Sequence, residues 1–379
     1  MTVLDKGQHP GGLATSHRRG DNWYDMGCHM LHEFDREIYE DIMALMGDES
    51  IPVQLDAKIR WAGAFYRYPL QFKDMIQGIP LATLAYYCIG LFSAQLRSAL
   101  VPWTRELSAT FITTKMPRLS AVDVIKRALA KVGIKDRSVK AVDSALLEET
   151  LHYSRTGAEA MPRHLAAAVT RAGGSVVQNA EVTQVIHDPV TRRVTQVRYL
   201  HQGAEHTLDC DECISTIPIP HLIQRACPEP PDPVLEAARH IRYKPIAIYG
   251  LLVRKPRCID ALYIYYRDRA FHRVGEPKNA GLRVNPPDHT VLIVETTCEI
   301  GDAKWYAAPE AVEQILADLE LENICRREEV VETNLLQSET GYPVFALGFE
   351  PHLEQLKSWI NGMENLQGVG PHARLPHPH

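Results

Sequence analysis

Thr2-Val3-Leu4-Asp5-Lys6-Gly7-Gln8-His9-Pro10-Gly11-Gly12 is the stretch whose reading decides the fold. A short apolar run ends in an acid and enters a turn rich in glycine and proline, as a buried strand does when it meets a loop. Working outward, Arg18 to Asp35 is polar and turn-rich. A helix is then predicted: Asp35 can cap it, Ile38, Ile42 and Leu45 share one face, and Gly47 stops it. The beginning reads as strand, loop, helix.

From about residue 51 to 150 the pattern turns helical, punctuated by Pro69, Pro80, Pro102 and Pro117, with Ser120 and Asp123 resembling a capping box. Pro162 opens another helix, carrying Leu165, Ala168 and Val169 and stopped by Gly173-Gly174. Short strands follow at Ser175–Asn179, Glu181–His187 and Arg193–Leu200, and Thr207–Pro218 reads as a turn entering a buried strand, Cys213–Pro218. Together these suggest a small antiparallel meander returning to a main sheet. Beyond Tyr243, strands are expected at Ile246–Val253, Ala261–Tyr266, Val291–Thr296 and Glu329–Leu336, with a helix from Pro309 through Leu319.

Composition bounds the function. The chain is 45% hydrophobic and 23% charged, which is ordinary for a globular protein and argues against disorder. A net charge of −6 gives no basic footprint, so no nucleic-acid partner is expected. Eight scattered cysteines read as reduced thiols of a cytoplasmic protein. Cys210 and Cys213 form a lone CxxC without a second pair at zinc spacing, so a structural role is preferred over a redox or metal role. The first residues lack the basic and apolar regions of a signal peptide. Ile79 to Leu96 carries no charge, but Pro80 and Gly90 interrupt it, which suits a buried or membrane-touching helix better than a span. Peripheral membrane association therefore stays open, and the oligomeric state is unknown.

In a dinucleotide-binding fold the second strand ends in an acid that accepts hydrogen bonds from the adenosine ribose, and Asp5 is placed for that task. Such an acid usually stands about 20 residues after a GxGxxG turn, and there is no room for one ahead of Asp5. Taken alone, the acid also reads as a plain surface turn. The wider pattern decides between these. Val3–Ser16, Tyr24–Asp35, Tyr68–Phe72, Gly157–Asp188, Cys213–Leu222 and Glu364–Gly370 occur in the order seen in one group of flavoproteins. Over nearly its whole length the chain resembles the FAD-dependent amine oxidase and protoporphyrinogen oxidase superfamily, which includes UDP-galactopyranose mutase-like flavoproteins.

The resemblance implies an α/β fold, a Rossmann-like FAD-binding domain interleaved with an α+β substrate domain. Residues 1–50 are then the first part of the FAD domain, lacking the GxGxxG strand, turn and helix. Residues 51–150 are a helical substrate-domain insertion, 151–220 the second part of the FAD domain with the meander, 221–360 a substrate domain with an antiparallel sheet, and 361–379 a residual FAD-domain segment with an aberrant tail. By the same resemblance Asp5 matches the ribose-binding acid, Gly11 and Gly12 the paired glycines that let backbone approach the cofactor, and Val182 the residue whose backbone meets the adenine. Asp25, Gly27 and His29 match an element that passes near the flavin ring, with Asp25 structural and His29 catalytic. His29 and His32 also form an HxxH, for which a metal role is not expected. Arg67, Tyr68, Arg273 and Glu276 stand in segments resembling the substrate domain and receive no catalytic role.

The implied activity is hydride transfer from a small organic substrate to FAD: an amine, a cyclic precursor or a polyprenyl-type hydrocarbon. The rivals are a mutase-like sugar isomerase and a cofactor-free remnant. Two departures weigh towards the last. By the usual spacing about 25 residues of strand, turn and helix would precede Thr2, and Pro371–His379 departs from the family pattern, as a shifted reading frame or an adventitious metal-binding tail would. The chain as given is expected to bind flavin weakly or not at all.

Overall fold

Residues 1–33, 35–61, 63–68 and 150–369 are described by a computed structural model. The opening residues do form a strand: β1 (Thr2–Leu4) runs parallel to β8 (Ser175–Val177), with Val3 opposite Val176. Asp5 continues the line, donating its N–H to Val177 and accepting from the N–H of Ala180. The glycine turn leads into a hairpin of β2 (Ser16–Arg19) and β3 (Asn22–Asp25). Helix α1 (Arg36–Met46) starts where expected, the Asp35 side chain accepting from Ile38 N–H at 3.2 Å, and ends at Gly47, whose φ of 51° a residue with a Cβ would adopt at a cost. Its predicted apolar face is only partly covered among the described residues, and Ile38 is exposed.

The helical reading of 51–150 is corrected at its start. β4 (Ser50–Gln54), β5 (Ala57–Trp61) and β6 (Ala64–Tyr68) are strands, and β7 (Thr150–Ser154) pairs with β4. In β5 the apolar Ala57, Ile59 and Trp61 alternate with Lys58 and Arg60, a period of two that the surrounding prolines obscured. Residues 69–149, with the apolar run, the Ser120 cap and most of Tyr68–Phe72, lie outside the described residues.

Helix α2 (Ala160–Arg171) feeds β8, and the meander follows as β9 (Ala180–His187), β10 (Val194–His201) and β11 (Ala204–Asp209). With β13 (Ala226–Cys227) parallel to β9, the sheet order is β11-β10-β9-β13. The sequence did not announce β11, because its residues are nearly all solvent-exposed and carry no apolar alternation. β12 (Cys213–Ser215) pairs in parallel with β19 (Leu366–Gly368). The strand expected there to be buried is only half so: Ser215 is buried and Cys213 packs on the core, but Ile214, at its centre, is 67% exposed. Among the described residues β1 and β12 each have one strand partner. Helices α3 (Ile219–Gln224), α4 (Asp232–His240) and α6 (Phe349–Asn361) bury Leu222, Ile223, Val234, Leu353, Leu356 and Ile360 in one cluster.

A seven-stranded sheet forms the other half. It adds β14 (Arg242–Val253), β15 (Tyr263–Tyr266), β16 (Arg273–Gly275), β17 (Thr290–Thr297) and β18 (Val330–Val344) to β5 and β6, in the order β18-β14-β17-β16-β15-β5-β6. Neighbours are antiparallel except β15 and β5. Alternation gives the sheet two buried faces. Tyr249, Leu251, Val253, Leu292 and Val294 pack against Ile315 and Leu319 of α5 (Pro309–Leu321). Ile246, Ile248, Leu252, Val291 and Ile293 pack on the opposite side against Tyr24 and Met26. The Tyr24 ring lies so close to Gly250 that a Cβ there would stand 2.5 Å from its Cδ1. That absent side chain lets β3, and the segment after it, dock on the sheet. No helix among the described residues is long and apolar enough to cross a membrane.

Candidate active site

Three of the predicted residues stand together, Asp25 at the end of β3 and Gly27 and His29 just after it. Asp25 is fully buried and accepts three hydrogen bonds: from Ser16 Oγ at 2.6 Å, from Ala158 N–H at 3.1 Å, and from the Tyr153 hydroxyl. Burial raises its pKa, and the three donors restrain the rise. Ser16 Oγ also accepts from Glu159 N–H at 3.0 Å, at the start of α2. Asp25 therefore ties together the hairpin, β7 and the turn that opens α2.

Gly11 and Gly12 have φ of 121° and 59°. A Cβ on Gly11 would stand 2.6 Å from Pro162 Cγ, whereas one on Gly12 would meet nothing within 4 Å. Gly11 is thus required for packing on α2, and Gly12 leaves an open backbone surface. Asp5 is half-buried at the end of β1, and its Oδ1 accepts from Gly7 N–H at 2.7 Å. Val182 lies two residues beyond Ala180, which bonds to Asp5, and its carbonyl accepts from Arg225 Nε at 2.7 Å.

Gly27 (φ 116°), Cys28 and His29 form a tight turn over the seven-stranded sheet. His29 N–H donates to the Gly27 carbonyl, and its Nε2 lies 3.1 Å from the Met26 carbonyl. A carbonyl only accepts, so Nε2 carries the hydrogen and Nδ1 is the nitrogen able to take up a proton. Under the turn, Glu295 of β17 is 1% exposed. Arg273, its direct cross-strand partner, grips both carboxylate oxygens at 2.7 Å through Nε and Nη2. The Arg273 guanidinium lies over the rings of Tyr263 and Tyr265, at 5.5 and 5.6 Å from their centroids. Tyr342 donates to Glu295 at 3.2 Å, and Tyr68 packs on Tyr265. Burial pushes the Tyr265 and Tyr342 hydroxyls up, so these phenols stay neutral, Tyr342 donating to Glu295 and Tyr265 accepting from Arg273 Nη1 at 3.4 Å.

Glu276, in the segment that resembles the substrate domain, is a structural staple: wholly buried, it accepts from the N–H groups of Cys258 and Ile259 and from Thr290 Oγ1. No cluster of three metal-ligating side chains occurs among the described residues, at the HxxH or the CxxC. Grooves of about 440 and 390 Å³ lie beside α3 and β4, and no predicted site residue lines them. Sequence reasoning missed Glu295, Tyr153 and Tyr342. Glu295 had a signal, as the one acid in the apolar run Val291–Val294 and its extension.

Residues 111–321 match the flavin containing amine oxidoreductases, and residues 1–48 match an NAD(P)-binding Rossmann-like domain. The first match spans more than half of the chain. This protein belongs to the flavin-containing amine oxidoreductase family. Solved structures agree on the fold. Reduced UDP-galactopyranose mutase superposes with a TM-score of 0.74 at 15% identity, covering 98% of this chain and 84% of that one. A protein assigned as a protoporphyrinogen oxidase of Exiguobacterium sp. 255-15 gives 0.64 at 16%, covering 98% and 88%. A putrescine oxidase with redesigned cofactor binding gives 0.60 at 15%, covering 98% and 87%. No curated protein matches the chain.

The cofactor of this family is a flavin, and the Rossmann-like match at the N-terminus agrees with its dinucleotide form, FAD. The residues present fit its adenosine end. Asp5 offers a carboxylate at the end of a parallel strand, and Gly12 leaves backbone open to approach. Thr15 Oγ1 and Glu159 Oε2, on either side of the Ser16 hydrogen bond, are buried oxygens without a partner that a polar ligand would satisfy.

Proposed function

We propose that this family member is an FAD-dependent oxidoreductase in which the Gly27–His29 turn faces the flavin ring and His29 moves a proton at Nδ1 while an organic substrate is oxidised. One observation carries this reading: Asp25 fastens the His29 turn to the same Ser16 and α2 start that flank the glycine turn. Bound flavin supplies the hydride acceptor. The chain's own residues supply orientation and proton handling. Asp5 would hold the ribose, Gly11 and Gly12 the backbone approach, and the tyrosine-lined face below His29 the substrate.

Titration with FAD, followed by quenching of flavin fluorescence, tests the cofactor half. Weak but saturable quenching is expected, in keeping with the expectation from the sequence, and Asp5→Ala should weaken it a further ~10–100-fold, the worth of a charged hydrogen-bond acceptor. Equal affinity of parent and variant would remove Asp5 from the site. With a substrate in hand, His29→Gln is expected to lower turnover about 10²–10⁴-fold, and unchanged turnover would exclude His29 from the mechanism.

A second reading, a flavin-dependent sugar isomerase, draws support from Tyr68, Tyr263, Tyr265 and Tyr342. Flat rings with hydroxyl edges suit a hydroxylated ring as well as an apolar one. Incubation with UDP-galactopyranose under reducing conditions decides, since absence of ring contraction eliminates this option.

A further inference from the structure

The Gly27–His29 turn is held from below by the sheet at two points. Cys28 N–H donates to Glu295 Oε1 at 3.3 Å. The Cys28 thiol occupies the space left by the missing side chain of Gly275, where a Cβ would stand 2.1 Å from Sγ. Glu295 is itself fixed by the two bonds from Arg273 and the bond from Tyr342, and His272 Nε2 lies 3.7 Å away. Tyr265, Arg273 and Glu295 are successive cross-strand partners, so β15, β16 and β17 set the position of the carboxylate. Seen from above, a Cβ on Gly27 would lie 3.3 Å from His29 Nε2, 3.5 Å from Glu295 Oε1 and 3.7 Å from Arg273 Nη2. The imidazole, the carboxylate and the guanidinium all converge on the backbone of this turn.

We infer that Glu295, oriented by Arg273 and Tyr342, is the positioning residue for His29. It acts through the Cys28 N–H and touches no reacting atom. Both oxygens of the carboxylate are engaged by Arg273, so it has no proton to exchange and no free charge to offer a substrate. What it does is fix the Cys28 N–H in a turn whose leading glycine would otherwise let the imidazole swing. The inference rests on the reading of His29 as the flavin-facing group, but the device itself can be tested without flavin.

The test uses the whole chain and two reporters, iodoacetamide alkylation of Cys28 resolved from the other cysteines by peptide mass spectrometry, and the ring resonances of His29 in protein with ¹⁵N-labelled histidine. In the parent the Cys28 thiol fills the space beside Gly275 and burial pushes its pKa up, so alkylation is expected to be slow. Glu295→Gln keeps the shape and loses the paired charge. It is expected to speed Cys28 alkylation at least about tenfold and to shift or broaden the His29 resonances. Glu364→Gln, a charge loss at the exposed ion pair with Arg193 just before β19, is expected to change neither reporter. Should Glu295→Gln fail to fold, Tyr342→Phe removes one support of the carboxylate and is expected to move both reporters in the same direction by less. Unchanged alkylation and unmoved His29 resonances in a folded Glu295 or Tyr342 variant overturn the inference. So does an equal response to Glu364→Gln, which would reduce the effect to general loosening. Failure of the flavin titration would leave these readouts untouched.

Discussion

Replacing Arg273 by alanine is expected to lower the stability of the folded chain by about 3–5 kcal/mol, the cost of leaving one member of a buried ion pair alone. Glu295 would keep its burial and lose the two 2.7 Å bonds that compensate it. The pH dependence should change with it. Burial by itself would push the Glu295 carboxyl up, but Arg273 overrides burial and holds it at about 2, against an ordinary 4.5. With the folded pKa below the unfolded one, the pair contributes fully above the unfolded value, and the contribution is lost as the pH falls towards 2. In the variant the sign reverses: burial remains, the carboxyl binds its proton more tightly folded than unfolded, and stability falls as the pH rises through the acid range. Urea midpoints between pH 3 and pH 7 measure both effects. A variant within about 1 kcal/mol of the parent, with the parent's acid slope, would mean that water reaches the carboxylate and that the pair is not desolvated.

The same pair shows where sequence reading stops. Local signals gave what local physics controls. The Asp35 cap, the Gly47 stop and the Ser175–Asn179 and Glu181–His187 strands each depend on neighbours within a few residues, and the structure holds them close to the predicted places. Asp5 at the end of β1 was legible for the same reason, because a strand, an acid and a glycine turn are contiguous. Pairing over distance was not. Glu295 meets Cys28 across 267 positions and Asp25 meets Tyr153 across 128. No periodicity connects such residues, since their contact is set by which strands become neighbours in the sheet. The strands β5 and β6 failed for a different reason: each is five residues long, too short to outweigh the proline-rich, apolar stretch that follows. β11 shows the complementary limit, a strand held by its ladder to β10 and by polar and ring contacts across it, with little apolar face to reveal it.

Asp25→Ala should be comparably damaging, at about 3–5 kcal/mol, because it strands three buried donors at once. Ser16 Oγ, Tyr153 Oη and the Ala158 N–H all point at the carboxylate, and none has an alternative bond among the hydrogen bonds it donates. The consequence reaches the site, for the turn that Asp25 pins is the one leading into Gly27 and His29, and the Ala158 N–H it anchors lies at the entrance to α2 beside the glycine turn. Asp25→Asn separates charge from shape. One amide oxygen can still accept from two donors, while the NH₂ group must face the third, so a smaller loss of about 1–3 kcal/mol is expected. The two variants also differ from the parent in pH response. Burial raises the Asp25 pKa, so the folded chain holds a proton that the unfolded chain has already released, and this group costs stability as the pH rises through its folded pKa. Asparagine cannot titrate, so the difference between parent and Asp25→Asn should narrow as the pH rises from acid to neutral. A gap that instead widens with pH would show the carboxylate ionised and stabilised by its three donors, placing hydrogen bonding above burial in setting its charge.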